Sequence, residues 1–126
     1  MLVSCSDNLL RFEEKRVSLE ASLYLKIASA DFHRPFILDV QFSVAQGEIL
    51  GLVGPSGSGK SISLKCIAGI FRPNRGHVRL NDRILFDRDS GVDLPPRERK
   101  VGYLFQSYAL FPHMNVFKNV ASGIGR

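Results

Sequence analysis

The chain has 126 residues, 44% of them hydrophobic and 23% charged, which suits one globular domain or a large piece of one. Its formal net charge is +5, but Lys and Arg are scattered, densest at Arg97-Glu98-Arg99-Lys100. No aromatic-interleaved basic stripe appears, so nucleic acid is not an expected partner.

Residues 1–18 mix charges without periodicity and read as a loosely held leader. Met1 to Cys5 lacks the basic and apolar regions that open a signal peptide. Regular structure begins at residue 19. Leu19, Ala21, Leu23, Leu25 and Ile27 alternate with polar neighbours, the period of a half-buried strand. Asp31 to Pro35 supplies a turn, and Phe36, Leu38, Val40, Phe42 and Val44 alternate again. Two such strands predict an antiparallel hairpin.

Gln46-Gly47-Glu48 turns the chain into Ile49-Leu50-Gly51-Leu52-Val53, a short apolar run that predicts a buried parallel strand. A Gly- and Ser-rich stretch comes next. Beyond it, Ile62, Cys66 and Ile70 recur at helical spacing with Ile67 and Phe71 beside them, predicting a helix that stops near Arg72-Pro73. Val78 and Leu80, then Ile84 and Phe86, flank Asn81-Asp82 as a second ribbon. Asp87 to Pro96 reads as a polar loop without regular structure. Val101 to Phe105 predicts another buried strand, ending at Gln106, and Asn115 to Val120 opens a helix. Cys5 and Cys66, the two cysteines, fall at no metal-ligand spacing, which fits a reducing cytoplasm. No apolar run approaches the roughly 18 residues of a transmembrane helix. Any membrane role would rest with a partner.

The stretch Gly54-Pro55-Ser56-Gly57-Ser58-Gly59-Lys60-Ser61 fits G-x-x-x-x-G-K-[ST], a loop whose backbone N–H groups wrap nucleotide phosphates. Its glycines permit positive φ and a close backbone approach to a ligand. Lys60 is expected on the β- and γ-phosphates and the Ser61 hydroxyl on Mg²⁺. The helix behind the loop points its unpaired N–H groups and positive dipole end at the same anion. The competing reading, a flexible linker ending in Lys-Ser, does not explain the apolar run before it and the helix after it. Arg83-Ile84-Leu85-Phe86-Asp87 imitates a strand ending in a metal-binding aspartate, but it comes after a turn in the ribbon. Asp87 therefore reads as an ordinary loop aspartate.

With these segments in place, the chain resembles the ATP-binding subunits of ABC transporters. The matching residues are Gly47-Glu48, Gly54 to Ser61, Leu64 to Gly69, Val101 to Gln106 and Ala109 to Met114. Gly91 to Pro96 before Arg99-Lys100-Val101 is most similar to the molybdate- and sulfate-type importer ATPases. The resemblance runs from about residue 19 to the end. It implies an α/β fold, a P-loop NTPase core of the ABC type with an antiparallel β subdomain, incomplete at its C-terminus.

The resemblance implies ATP and Mg²⁺ as ligands, held by Gly54, Pro55, Ser56, Gly57, Ser58, Gly59, Lys60, Ser61 and the backbone of Ile62. Ser61 and Gln106 would hold the metal, and Gln106 would also position the attacking water. An aromatic residue near the end of the first strand would stack on adenine, with Phe32 as the candidate and Phe36 as the runner-up. Gln106 to His113 would receive a transmembrane permease, and a second ATP-binding subunit would complete a homodimer. That assembly places the chain in the cytoplasm, peripheral to the inner face of the cell membrane.

Two departures from the family pattern stand out. Ile62 replaces the usual threonine, so a hydroxyl at the α-phosphate is missing. The chain also stops before the signature motif, the Walker B aspartate with its catalytic glutamate, and the switch histidine. His33, His77, His113 and Glu98 occupy none of those positions. The expected status is the N-terminal part of an importer ATPase, truncated or from a split reading frame. Three readings stay open: part of a hydrolysing transport enzyme, a nucleotide-binding module that does not hydrolyse, and a soluble ABC ATPase outside transport.

Overall fold

A computed structural model describes residues 16–28, 35–107 and 110–123. Strand β1 (Val17–Ile27) is the spine of the sheet. Its alternation puts Ala21, Leu23 and Leu25 on one buried face, as a period of two requires. It pairs on one side with β2 (Phe36–Ala45), Leu23 opposite Val40 and Leu25 opposite Leu38. On the other side it pairs with β3 (Arg75–Leu80), Ala21 opposite Val78. The chain reverses at Asn81-Asp82, with Asn81 at φ 53, into β4 (Arg83–Asp87), and a bulge between Val78 and Arg79 shifts the register. A short β5 (Val92–Asp93) closes the sheet, giving the order β2-β1-β3-β4-β5 with every pairing antiparallel.

Helix α1 (Lys60–Ala68) lies on one face of this sheet. Cys66 and Ile67 meet Ala21, Leu23, Leu25, Leu38, Val78, Leu85 and Phe86 in one apolar core. A buried side chain of Leu or Phe size contributes about 1.5–3 kcal/mol over its exposed state, so this cluster dominates the stability of the unit. Two short helices complete the described chain, α2 (Pro96–Arg99) and α3 (Val116–Ala121). Asn115 caps α3 by accepting the Lys118 amide at 2.9 Å.

The hairpin, the ribbon and α3 stand where the sequence places them; β1 begins at Val17, slightly ahead of its expected start. Four expectations are corrected. The helix ends at Gly69, whose φ of 81 makes a left-handed cap, and so it stops before Ile70 and Phe71. The polar loop from Asp87 is not wholly irregular, because β5 pairs with β4 through Phe86–Asp93 and Asp87–Val92. Ile49–Val53 forms no strand, with Ile49 100% and Val53 78% exposed. Val101–Phe105 forms none either, with Leu104 79% exposed. A parallel strand buried on both faces needs a hydrogen-bonded neighbour and cover on each side. Among the described residues neither segment has a ladder partner.

Candidate nucleotide-binding site

The loop from Gly54 to Ser58 leaves the end of the exposed apolar segment and enters α1 through Gly59. Gly57 at φ 79 and Gly59 at φ 97 both sit in the left-handed region, which side chains rarely tolerate. Gly59 is also packed: a Cβ there would stand 2.7 Å from Leu38 Cδ1 and 3.1 Å from Phe36 Cζ. The loop therefore rests directly on β2, and its position is set by the first half of that strand.

Gly59 is the N-cap of α1 and supplies no side-chain acceptor, and no acidic residue occupies the first turn. The leading N–H groups of the helix thus face outward without a side-chain partner, together with the positive end of the dipole. Lys60 Nζ curls back over the loop, donating to the carbonyls of Gly54 and Pro55, each at 2.7 Å, and to Ser58 Oγ at 3.3 Å. Inside the turn the Ser58 amide donates to Pro55 O at 3.2 Å. Ser63 fixes the other side, its amide and hydroxyl donating to Gly59 O at 2.8 and 3.0 Å. The Lys60 ammonium and the uncapped start of α1 lie at one concave surface. That donor set suits a polyphosphate.

Two grooves border the loop. A cleft of about 280 Å³ runs from Ile37–Val40 of β2 past Leu52 and Val53 to Gly54, Ser58 and Lys60. A second, of about 510 Å³, brings Gln106 beside Ser61 and Lys65 of α1, with Tyr103 and Phe105 on its wall. The Tyr103 and Phe105 rings meet edge to face at 4.7 Å between centroids. Ser61 and Gln106 are thus brought to one groove. Among the described residues no group of three or more His, Cys, Asp or Glu is placed to hold a metal ion. A hydroxyl and an amide oxygen fit Mg²⁺ when phosphate oxygens and water complete its shell, which is how that ion is usually held.

The remaining expected residues are spread over the molecule. The Ile62 side chain packs against the core, leaving only its backbone for a ligand. Phe32 lies outside the described residues, as do His33 and Tyr108. Phe36 packs against the core beneath Gly59. Leu110 and Phe111 are exposed, and the Phe111 ring meets His113 at 5.9 Å. Asp87 Oδ1 accepts the amides of Asp89 and Ser90 at 2.9 and 3.4 Å. The Ser90 side chain and the Asp89 amide hold its carboxyl below the usual range. It ends β4 and shapes the turn that follows, and so is not the plain loop residue expected. His77 lies on β3, its Nε2 3.5 Å from Glu20 Oε1, while Glu20 also holds Arg79 at 2.7 Å.

Sequence reasoning missed Arg99 and Asn119. Arg99 sits in the densest charge run yet is 1% exposed, bonded to the last turn of α1. Burial pulls its pKa down and the Asp93 carboxylate opposes that shift. Asn119 ties α3 to the preceding loop: its Oδ1 accepts the Phe111 amide at 2.9 Å and its Nδ2 donates to the Phe111 and Met114 carbonyls at 3.2 and 3.0 Å. The one local hint was polarity at a helix position beyond an Asn cap.

The glycine geometry, the bare helix start and the curled lysine define a P-loop protein. The family model described as ABC transporter matches residues 37–124, and the chain belongs to that family. Among similar proteins, the molybdenum import ATP-binding protein ModC of Mycobacterium tuberculosis is 54% identical over 86 residues, 68% of this chain and 23% of that one. The trehalose/maltose import ATP-binding protein MalK of Thermococcus litoralis is 41% identical over 85 residues, 68% and 23% of the two chains. The Fe(3+) ions import ATP-binding protein FbpC of Haemophilus influenzae is 45% identical over 87 residues, 69% and 24%. The chain spans about a quarter of the length of these relatives. No helix among the described residues is long and apolar enough to cross a membrane.

Proposed function

We propose that this chain binds ATP·Mg²⁺ as the nucleotide-holding part of an importer's ATPase, whose hydrolysis drives uptake of a small anion such as molybdate. The observation that carries the reading is the preformed loop: Gly59 capping α1 without a side chain, and Lys60 Nζ held across Gly54 and Pro55. The amides of residues 57–62 take the phosphates and Lys60 neutralises them. Ser61 and Gln106 hold Mg²⁺, and bound Mg²⁺ would draw charge from the phosphoryl oxygens. Phe32 stacks on adenine. Molybdate rests on relatives named for molybdenum import at 54% and 46% identity. The MalK and FbpC relatives carry other cargo names at 41% and 45%, so the ATP-binding part is the shared component and the cargo rests on the name alone. A permease docks on Gln106–His113 at the cytoplasmic face of the membrane, and a second ATP-binding subunit completes the site.

Calorimetric titration with ATP·Mg²⁺ tests the binding. Lys60→Ala removes the only side-chain cation in the loop, and a lost charge-assisted contact of about 1.5–3 kcal/mol lowers affinity roughly 10- to 100-fold. Equal affinity of wild type and variant refutes the reading.

A further inference from the structure

Arg99 makes an unusual set of bonds for a residue in a charge run. Nε donates to Leu94 O at 2.7 Å, Nη1 to the carbonyls of Cys66 and Ile67 at 2.9 Å each, and Nη2 to Asp93 Oδ1 at 3.1 Å. Cys66 and Ile67 stand in the last turn of α1, where carbonyls lack the usual i+4 amide and a cation complements the dipole; the Gly69 amide also donates to Cys66 O at 3.2 Å. The guanidinium lies over Gly69, where a Cβ would stand 2.6 Å from Nε. Asp93 is held in turn by Arg72 Nε at 3.0 Å. A buried charge persists only when paired this fully.

The segment just beyond Arg99 gives the contact its meaning. Residues 101–105 form no strand, so no ladder holds them. Yet they deliver Gln106 to the groove that Ser61 and Lys65 of α1 line. The same stretch of chain therefore bonds to the last turn of α1 through Arg99 and, seven residues on, places Gln106 in a groove that this helix lines from Ser61 to Lys65. We infer that Arg99 is a positioning residue: by locking the start of the glutamine segment to the last turn of α1, it sets where Gln106 stands relative to Ser61. The consequence for Mg²⁺ rests on the proposed function; the placement does not. Lysine cannot replace it, because a single ammonium has no planar fork to reach all these acceptors.

The test measures the placement directly in the full chain carrying Cys5→Ser, Ser61→Cys and Gln106→Cys. Cys66 can stay, since burial pushes its thiol up to about 11 and keeps it unreactive. Cross-linking of the pair by a short bis-maleimide should slow roughly tenfold in the Arg99→Lys background, the order that one charge-assisted bond carries. A folded Arg99→Lys protein that cross-links at the parent rate overturns the inference, even if its stability has dropped. Should Arg99→Lys not fold, Asp93→Asn decides: it removes the charged partner and leaves the carbonyl contacts, so slower cross-linking supports the inference and an unchanged rate overturns it. In the native-site chain, Arg99→Lys should abolish the gain in ATP affinity that Mg²⁺ provides and leave affinity in EDTA unchanged. An equal loss under both conditions marks a purely structural role and overturns the inference. A parent chain that binds no ATP refutes the proposed function alone, and the cross-linking rates still judge Arg99.

Discussion

Substituting Gly59 by alanine asks one residue to satisfy two incompatible demands. Its φ is 97, and left-handed backbone costs an L-residue about 1–2 kcal/mol. The added methyl would also stand 2.7 Å from Leu38 Cδ1 and 3.1 Å from Phe36 Cζ. Forcing a methyl into such a packed spot typically costs a further ~1–3 kcal/mol. Together these predict a loss of about 2–5 kcal/mol, a large share of the roughly 5–15 kcal/mol available to a domain. Gly57 provides the internal reference. Its φ is 79, but nothing lies within 4 Å of a Cβ there. Gly57→Ala should therefore show the backbone cost alone, about 1–2 kcal/mol. Urea unfolding monitored by circular dichroism measures both, with unchanged m-values required for the comparison. ATP titration should show the reverse order, because the Gly57 amide is among those proposed to take the phosphates. Equal urea midpoints for the two variants would refute the claim that β2 sets the position of the loop.

The buried thiol supplies a pH prediction: burial raises Cys66 from 9.0 to about 11 against the opposing pull of Arg99. A raised folded pKa gives stability that is complete below the unfolded value and lost as pH rises between 9.0 and about 11. The difference in unfolding free energy between wild type and Cys66→Ala, from urea titrations, should shrink across that window by on the order of 2–3 kcal/mol at most; a constant difference contradicts it. Catalysis supplies another. Among the described residues lining the two grooves, Asp39 is the sole carboxylate, and it stands on β2, not opposite Gln106. The purified chain should therefore release no phosphate from ATP, since general-base assistance alone is worth about 10²–10⁴ in rate. Multiple turnovers by wild type and none by Lys60→Ala would reveal a base, and loss of turnover in Asp39→Asn would identify it.

Local features were the legible part of the sequence. The hairpin arises from alternation over residues 19–27 and 36–44, because a period of two admits one register with a dry face; in the ribbon a bulge breaks the period, so that adjacent Leu85 and Phe86 are both buried and Ile84 is exposed. The phosphate loop was legible because its chemistry demands fixed residue types at fixed spacing. The Gly69 stop was written in the chain too, but Ile70 and Phe71 continue the apolar spacing and mask a glycine that ends the helix. β5 is two residues long, too short to display any period.

The harder failures are non-local. Arg99 reads as solvated charge because two of its four acceptors, Cys66 O and Ile67 O on the helix that buries it, lie 33 and 32 residues away in sequence. No window around residue 99 can contain them. The two apolar runs fail for the opposite reason. Ile49–Val53 and Val101–Phe105 have the composition of buried parallel strands, and composition reports what a segment needs, not whether its neighbours supply it. A parallel strand closes no hydrogen bond with its sequence neighbours, since its partners arrive only through crossovers. An antiparallel hairpin carries its partner with it, as β1 and β2 do across residues 28–35. The antiparallel half of this chain therefore forms from information inside it. The segments flanking the phosphate loop and preceding Gln106 keep apolar surface exposed at Ile49, Val53 and Leu104. With no ladder on residues 101–105, the glutamine segment is tied to the core by side chains, the lock at Arg99 on α1 and Val101 packed against the cluster that holds Cys66 and Ile67.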